Sequence, residues 1–236
     1  MEKEGYNKFE TTSWSLVEQV RNGSDEAMEK ICAQYWPPVY SFAISLGCPA
    51  EEAKDMTQEF FAHAIGTRLW QSVDPEKGRL RDLLRGAFRR VYSKHRQYAG
   101  AQKRGGQSTS FSINADEMEL SYLKEMQNTQ DPEIAYEMVW AMSLFNATML
   151  LLAEHYIQGG KQGIFEALKS RLIGDKDQKY DEIATRLGMN VDAVRTEKHR
   201  MRKKFYEIFR NEVRKTVTNE EEIDIEIRYI ISLLTQ

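Results

Sequence analysis

Residues 180–205 read YDEIATRLGMNVDAVRTEKHRMRKKF. Ile183, Ala184 and Leu187 share one face of a helix at this spacing. Gly188 follows the last of them, and glycine tolerates the left-handed backbone that lets a chain reverse sharply. Asn190 suits the cap of a next helix, in which Val191, Val194, Met201 and Phe205 recur with helical periodicity. Arg195, Thr196, His199, Arg200 and Lys203 point elsewhere. Two helices about a glycine turn, the second of them basic, predict a helix-turn-helix that meets duplex DNA. Arginine's planar fork bonds both guanine acceptors in the major groove, whereas lysine mainly neutralises phosphate. A merely solvated basic helix is the alternative, so the surrounding chain must decide.

At 236 residues, with 41% hydrophobic and 29% charged, the chain has the composition of a soluble globular protein and room for two small domains. Cys32 and Cys48 lie in no CxxC or Cys/His cluster, which argues against a disulfide scaffold or structural zinc and for a reducing compartment. His63, His95, His155 and His199 lack zinc-ligand spacing, and no HExxH, phosphate loop or nucleophile elbow occurs. Neither metal, cofactor nor catalysis is expected. The opening MEKEGYNKFETTSW is no signal peptide. The apolar run 138–153 is interrupted by Ser143, Asn146 and Thr148, and is shorter than the ~20 residues of a spanning helix. It is expected to be a doubly buried helix rather than a membrane insertion.

The net charge of −3 and pI near 5.9 conflict with nucleic-acid binding until charge is followed along the chain. From 68 to 104, eleven bases face only Asp74, Glu76 and Asp82. From 114 to 137, Asp116, Glu117, Glu119, Glu125, Asp131, Glu133 and Glu137 face Lys124 alone. Two basic modules therefore flank an acidic connector.

Helical periodicity dominates and strand signals are scarce, so the fold class is all-α. After the turn at Asp74, Leu80, Leu83, Leu84, Ala87, Phe88 and Val91 form one apolar stripe. Arg81, Arg85, Arg89, Tyr92 and Arg96 fall on a second face, with Arg90 and Lys94 on the other flank. Such a helix fits separated or distorted strands, because rings and guanidinium planes stack on bases. It also fits an anionic membrane surface or plain solvation. Phe88 and Tyr92 are equally readable as core aromatics. At the end of the chain, Ile223, Ile227, Ile230, Ile231 and Leu234 alternate with acids, predicting an amphipathic helix that docks on the C-terminal domain or its basic surface.

Several elements in order carry a resemblance: 35–40 (YWPPVY), 55–61 (DMTQEFF), 101–106 (AQKRGG) and 194–202 (VRTEKHRMR), preceded by TTSWSLV at 11–17. Together they resemble bacterial RNA polymerase sigma factors of the sigma-70 family, in the extracytoplasmic-function (ECF) type that keeps only regions two and four. The resemblance spans nearly the whole chain. It implies a region two over residues 1–104, an acidic linker over 105–133, a region four with the helix-turn-helix over 134–215, and a helical extension over 216–236. It assigns Asp55, Gln58 and Glu59 to contact with core RNA polymerase. Arg79, Arg81, Arg85, Arg89, Arg90 and Lys94 fall to the minus-ten element and its melting, with Arg90 and Lys94 at base-reading positions. Arg195, Thr196, His199, Arg200 and Lys203 fall to the minus-thirty-five element. Promoter DNA and core polymerase are the implied partners, with an anti-sigma factor or other regulator a further one, and the cytoplasm the implied location. On this reading the acidic linker threads the polymerase channels as a nucleic-acid mimic.

Lys198 departs from the family, which places an aliphatic residue there. Either its stem packs with the ammonium in solvent, or it meets a phosphate. An autonomous helix-turn-helix regulator is the competing functional reading, and a protein-only adaptor a third.

Overall fold

The computed structural model describes residues 14–66, 69–74, 77–99, 131–172 and 179–235. The expected linker over 105–133 therefore lies outside them except for its last three residues, as do the 101–106 motif and residues 11–13. Among the described residues the secondary structure is all helical. The α-helices are α1 (Trp14–Arg21), α2 (Asp25–Ser45), α3 (Ala50–Gly66), α4 (Leu80–Ala99), α5 (Pro132–Gln158), α6 (Gln162–Leu172), α7 (Tyr180–Leu187), α8 (Val191–Arg214) and α9 (Glu220–Leu234). A short 3-10 turn spans Trp70–Ser72.

The chain divides into two compact units, one made of Met1–Ser143 and Arg214–Gln236, the other of Leu144–Val213. This differs from the division expected at residues 133/134 and 215/216. The reason is side-chain burial: Ala135, Tyr136, Val139 and Trp140 of α5 are buried, as are Ile223, Ile227, Ile230 and Leu233 of α9. Tyr136 packs on Phe42, and Glu137 and Glu226 pair with Arg81, so both segments belong to the first unit and chain order is a poor guide to its membership.

In the first unit α2 begins at Ser24, whose side chain accepts a hydrogen bond from the Ala27 amide at 3.2 Å. The helix buries Ile31, Tyr35, Trp36, Val39 and Phe42. Phe42 meets Phe88 of α4 at 6.0 Å and Tyr136 of α5 at 5.7 Å, and Phe60 of α3 meets Phe88 at 5.5 Å. Such tilted and edge-on ring pairs add to the area they bury. Leu80, Leu84, Ala87 and Phe88 put the apolar stripe of α4 into this core, while Leu83 and Val91 are half-buried. Asn219 caps α9 by accepting from the Glu222 amide at 3.1 Å. In α9 the buried stripe runs through Leu233, and Ile231 turns outward with half its surface exposed, because one residue past Ile230 is about 100° around the helix.

The second unit closes on Leu152, Tyr156, Phe165, Leu168, Ile183, Ala184, Val194 and Met201. By length and hydropathy α5 could span a membrane, but half of its apolar window is buried inside the protein. Its apolar residues on several sides match a helix enclosed by other protein elements.

Candidate nucleic-acid interface

In the second unit, α7 buries Ile183 and Ala184 and ends at Gly188, whose φ of 63° lies in the left-handed region. That turn is closed by hydrogen bonds from the Gly188 amide to the Thr185 carbonyl (3.2 Å) and from the Met189 amide to the Ala184 carbonyl (2.9 Å). Asn190 caps α8, its Oδ1 accepting from the Ala193 amide at 2.7 Å. The turn at Gly188 and the cap at Asn190 thus separate α7 from α8.

Val194 and Met201 turn α8 into the core, and Arg195, Thr196, His199, Arg200 and Lys203 are all exposed along its other side. Arg195 pairs with Asp192 at 3.2 Å, an exposed contact that a phosphate or base can replace at little cost. The Thr196 hydroxyl donates to the Asp192 carbonyl at 2.9 Å, leaving its oxygen lone pairs outward.

Glu197 was given no role by sequence, yet it is buried and accepts from Arg200 Nη1 at 2.7 Å, with Lys161 Nζ 3.5 Å away. It holds the base of a guanidinium that is itself 65% exposed. The signal was present: Glu197 sits three residues after Val194 and four before Met201, on the buried face. Lys198 is half-buried on this helix. Its Nζ donates to the Tyr180 hydroxyl at 3.0 Å, and Arg171 lies 4.1 Å from the centre of the same ring. The hydrogen bond from Lys198 holds the Tyr180 phenol below its ordinary pKa, assisted by the charges of Lys198 and Arg171.

In the first unit, Asp55 and Glu59 are exposed and Gln58 half-buried on α3, while Ala53, Met56, Thr57, Phe60 and Ala64 face inward. The bases assigned to the minus-ten element part into two groups. Arg90 and Lys94 are exposed. Arg79, Arg81, Arg85 and Arg89 instead meet carboxylates of α5 and α9. Arg81 is 2% exposed, donating through Nε to Glu137 (2.8 Å) and through Nη1 to the fully buried Glu226 (2.5 Å). Its guanidinium lies 3.9 Å from the centre of the Trp140 ring. Arg79 pairs with Glu226 at 2.7 Å, Arg85 with Glu137 at 2.6 Å and Asp82 at 2.9 Å, and Arg89 with Glu133 at 2.8 Å.

Burial alone would lower the Arg81 pKa, but the charges of Glu137 and Glu226 outweigh it and raise it. Burial pushes the Glu137 carboxyl upward against the pull of Arg81 and Arg85. Arg81 thus has no access to a phosphate, and the row assigned to the minus-ten element carries its own counter-ions. Phe88 is fully buried, and the Tyr92 hydroxyl donates to the Leu46 carbonyl at 2.8 Å, so both aromatics serve the packing of α4. The α9 helix itself, expected against the C-terminal domain, meets α4 through Glu226. No protein-family model, curated protein or solved structure matches this chain.

Proposed function

We propose that the chain is an ECF-type sigma factor, which joins core RNA polymerase, directs it to promoter DNA and opens the duplex near the start site. The observation that carries the reading is the single exposed face of α8, where Arg195, Thr196, His199, Arg200 and Lys203 stand over a glycine-turned pair of helices. An α-helix fits the major groove, and that face offers two guanidinium forks for guanine edges and a lysine for phosphate. In this reading the face binds the minus-thirty-five element. Asp55, Gln58 and Glu59 on the outer side of α3 supply the contact with core polymerase. Arg90 and Lys94 receive the minus-ten strand. Capture of unstacked bases compensates part of an unpairing cost of a few kcal/mol per base, so no catalytic group is required. The cytoplasm is where such a factor meets its polymerase.

One observation favours a second reading, an autonomous helix-turn-helix regulator: Arg79, Arg81 and Arg85 are paired within the protein, leaving α8 as the more open basic surface. The two readings separate in transcription from a promoter library with purified core polymerase, with and without this chain. Specific initiation only in its presence supports the sigma factor. Duplex binding without association with core or directed initiation supports the regulator.

A further inference from the structure

Along α4 and its neighbours, four arginines (Arg79, Arg81, Arg85, Arg89) meet four carboxylates (Asp82, Glu133, Glu137, Glu226), so the row is electrically closed. Only Asp82 belongs to α4; the other three come from α5 and α9. Carboxylates bonded to an arginine row use the same charge-assisted geometry as backbone phosphates. Burial grades the row. Arg81 and Glu226 are sealed from solvent, whereas the Arg79 side chain is 31% exposed, and Arg89 and Glu133 are 50% and 46% exposed. Water screens the Arg89–Glu133 pair, which makes it the most exchangeable, and Arg79 is reachable by a competing anion from its exposed side although Glu226 is sealed.

We propose that Glu133, Glu137 and Glu226 are an internal stand-in for a nucleic-acid backbone, so that α9, through Glu226, covers Arg79 and the start of α5, through Glu133, covers Arg89, and a strand must displace both before α4 engages it fully. The inference rests on the reading of α4 as a nucleic-acid helix. It goes beyond that reading by making the C-terminal helix a competitor for the same arginines. Competition is reciprocal: a strand that takes Arg79 from Glu226 must loosen α9, and neutralising the glutamates must strengthen strand binding.

The test uses the full chain in an Arg195→Ala/Arg200→Ala background, which silences the α8 face, with a fluorescent oligothymidylate as probe. Glu133→Gln/Glu226→Gln is expected to bind it more tightly than its parent. Its salt dependence should steepen by about 1.4 in log–log slope, ~0.7 for each of two arginines released to a single strand. An unchanged affinity and slope in a variant with the parent's circular dichroism overturns the cover, as does absence of binding by both chains. Should the variant fail to fold, hydrogen exchange on the parent decides: faster exchange in α9 on adding oligothymidylate supports the cover, and unchanged exchange overturns it. No polymerase is present, so the result stands apart from the transcription experiment.

Discussion

Lys198 occupies a helical angle that calls for an apolar side chain, and its ammonium is satisfied by a phenol eighteen residues earlier in the chain. The pairing has a measurable consequence. Tyr180 should ionise at lower pH than Tyr40, Tyr92, Tyr136, Tyr156 and Tyr229, which burial pushes upward, in an ultraviolet titration, and Lys198→Met should return it toward its ordinary value. Gly188 makes a second test, because a Cβ there meets no atom within 4 Å and only the left-handed backbone is at issue. Gly188→Ala should destabilise the second unit by about 1–2 kcal/mol in urea melts, with Gly188→Asn milder. Gly188 and Asn190 were legible in sequence because their partners lie within four residues. The Glu197–Lys161 and Lys198–Tyr180 contacts were not, since Lys161 comes from the loop before α6 and Tyr180 from α7.

At the scale of the element, α4 shows what angular analysis can and cannot do. It placed Arg81, Arg85 and Arg89 together, apart from the apolar stripe, and the structure keeps them together. It could not say whether that face meets solvent, because the answer comes from Glu137 and Glu226, in helices far along the chain. Removing one partner from a buried network leaves the others uncompensated, so Arg81→Gln should cost the first unit about 3–5 kcal/mol. Adding Glu137→Leu and Glu226→Leu to Arg81→Met should recover most of that loss, a contrast that thermal and urea melts can read. The raised pKa of Glu137 sets the sign of a pH effect. A carboxyl raised in the folded state favours folding when protonated, and that contribution fades as pH rises through the raised value. The stability difference between wild type and Glu137→Gln should therefore move in favour of wild type as pH falls from neutrality, levelling below the ordinary carboxylate pKa.

For the whole molecule, net charge of −3 says little about what it touches, because it averages an open basic face on α8 with a closed arginine row along α4. In the proposed function duplex affinity is carried by the open face. Arg200→Ala should cost about 1–3 kcal/mol and relax base preference at one position. Lys203→Ala should weaken all sequences alike and flatten the salt dependence by about 0.9. Binding titrations over a range of salt separate the two. The all-α class was legible from periodicity, whereas the membership of the two units was not, since the first is assembled from segments that sequence order keeps apart. That assembly has a consequence for biosynthesis. During translation α4 leaves the ribosome on the order of 10 s before α9 does, at ordinary elongation rates. Until Glu226 arrives, the nascent chain displays an arginine row without its final counter-charge, close to the ribosome's own RNA. The first unit is completed only when its last helix is released.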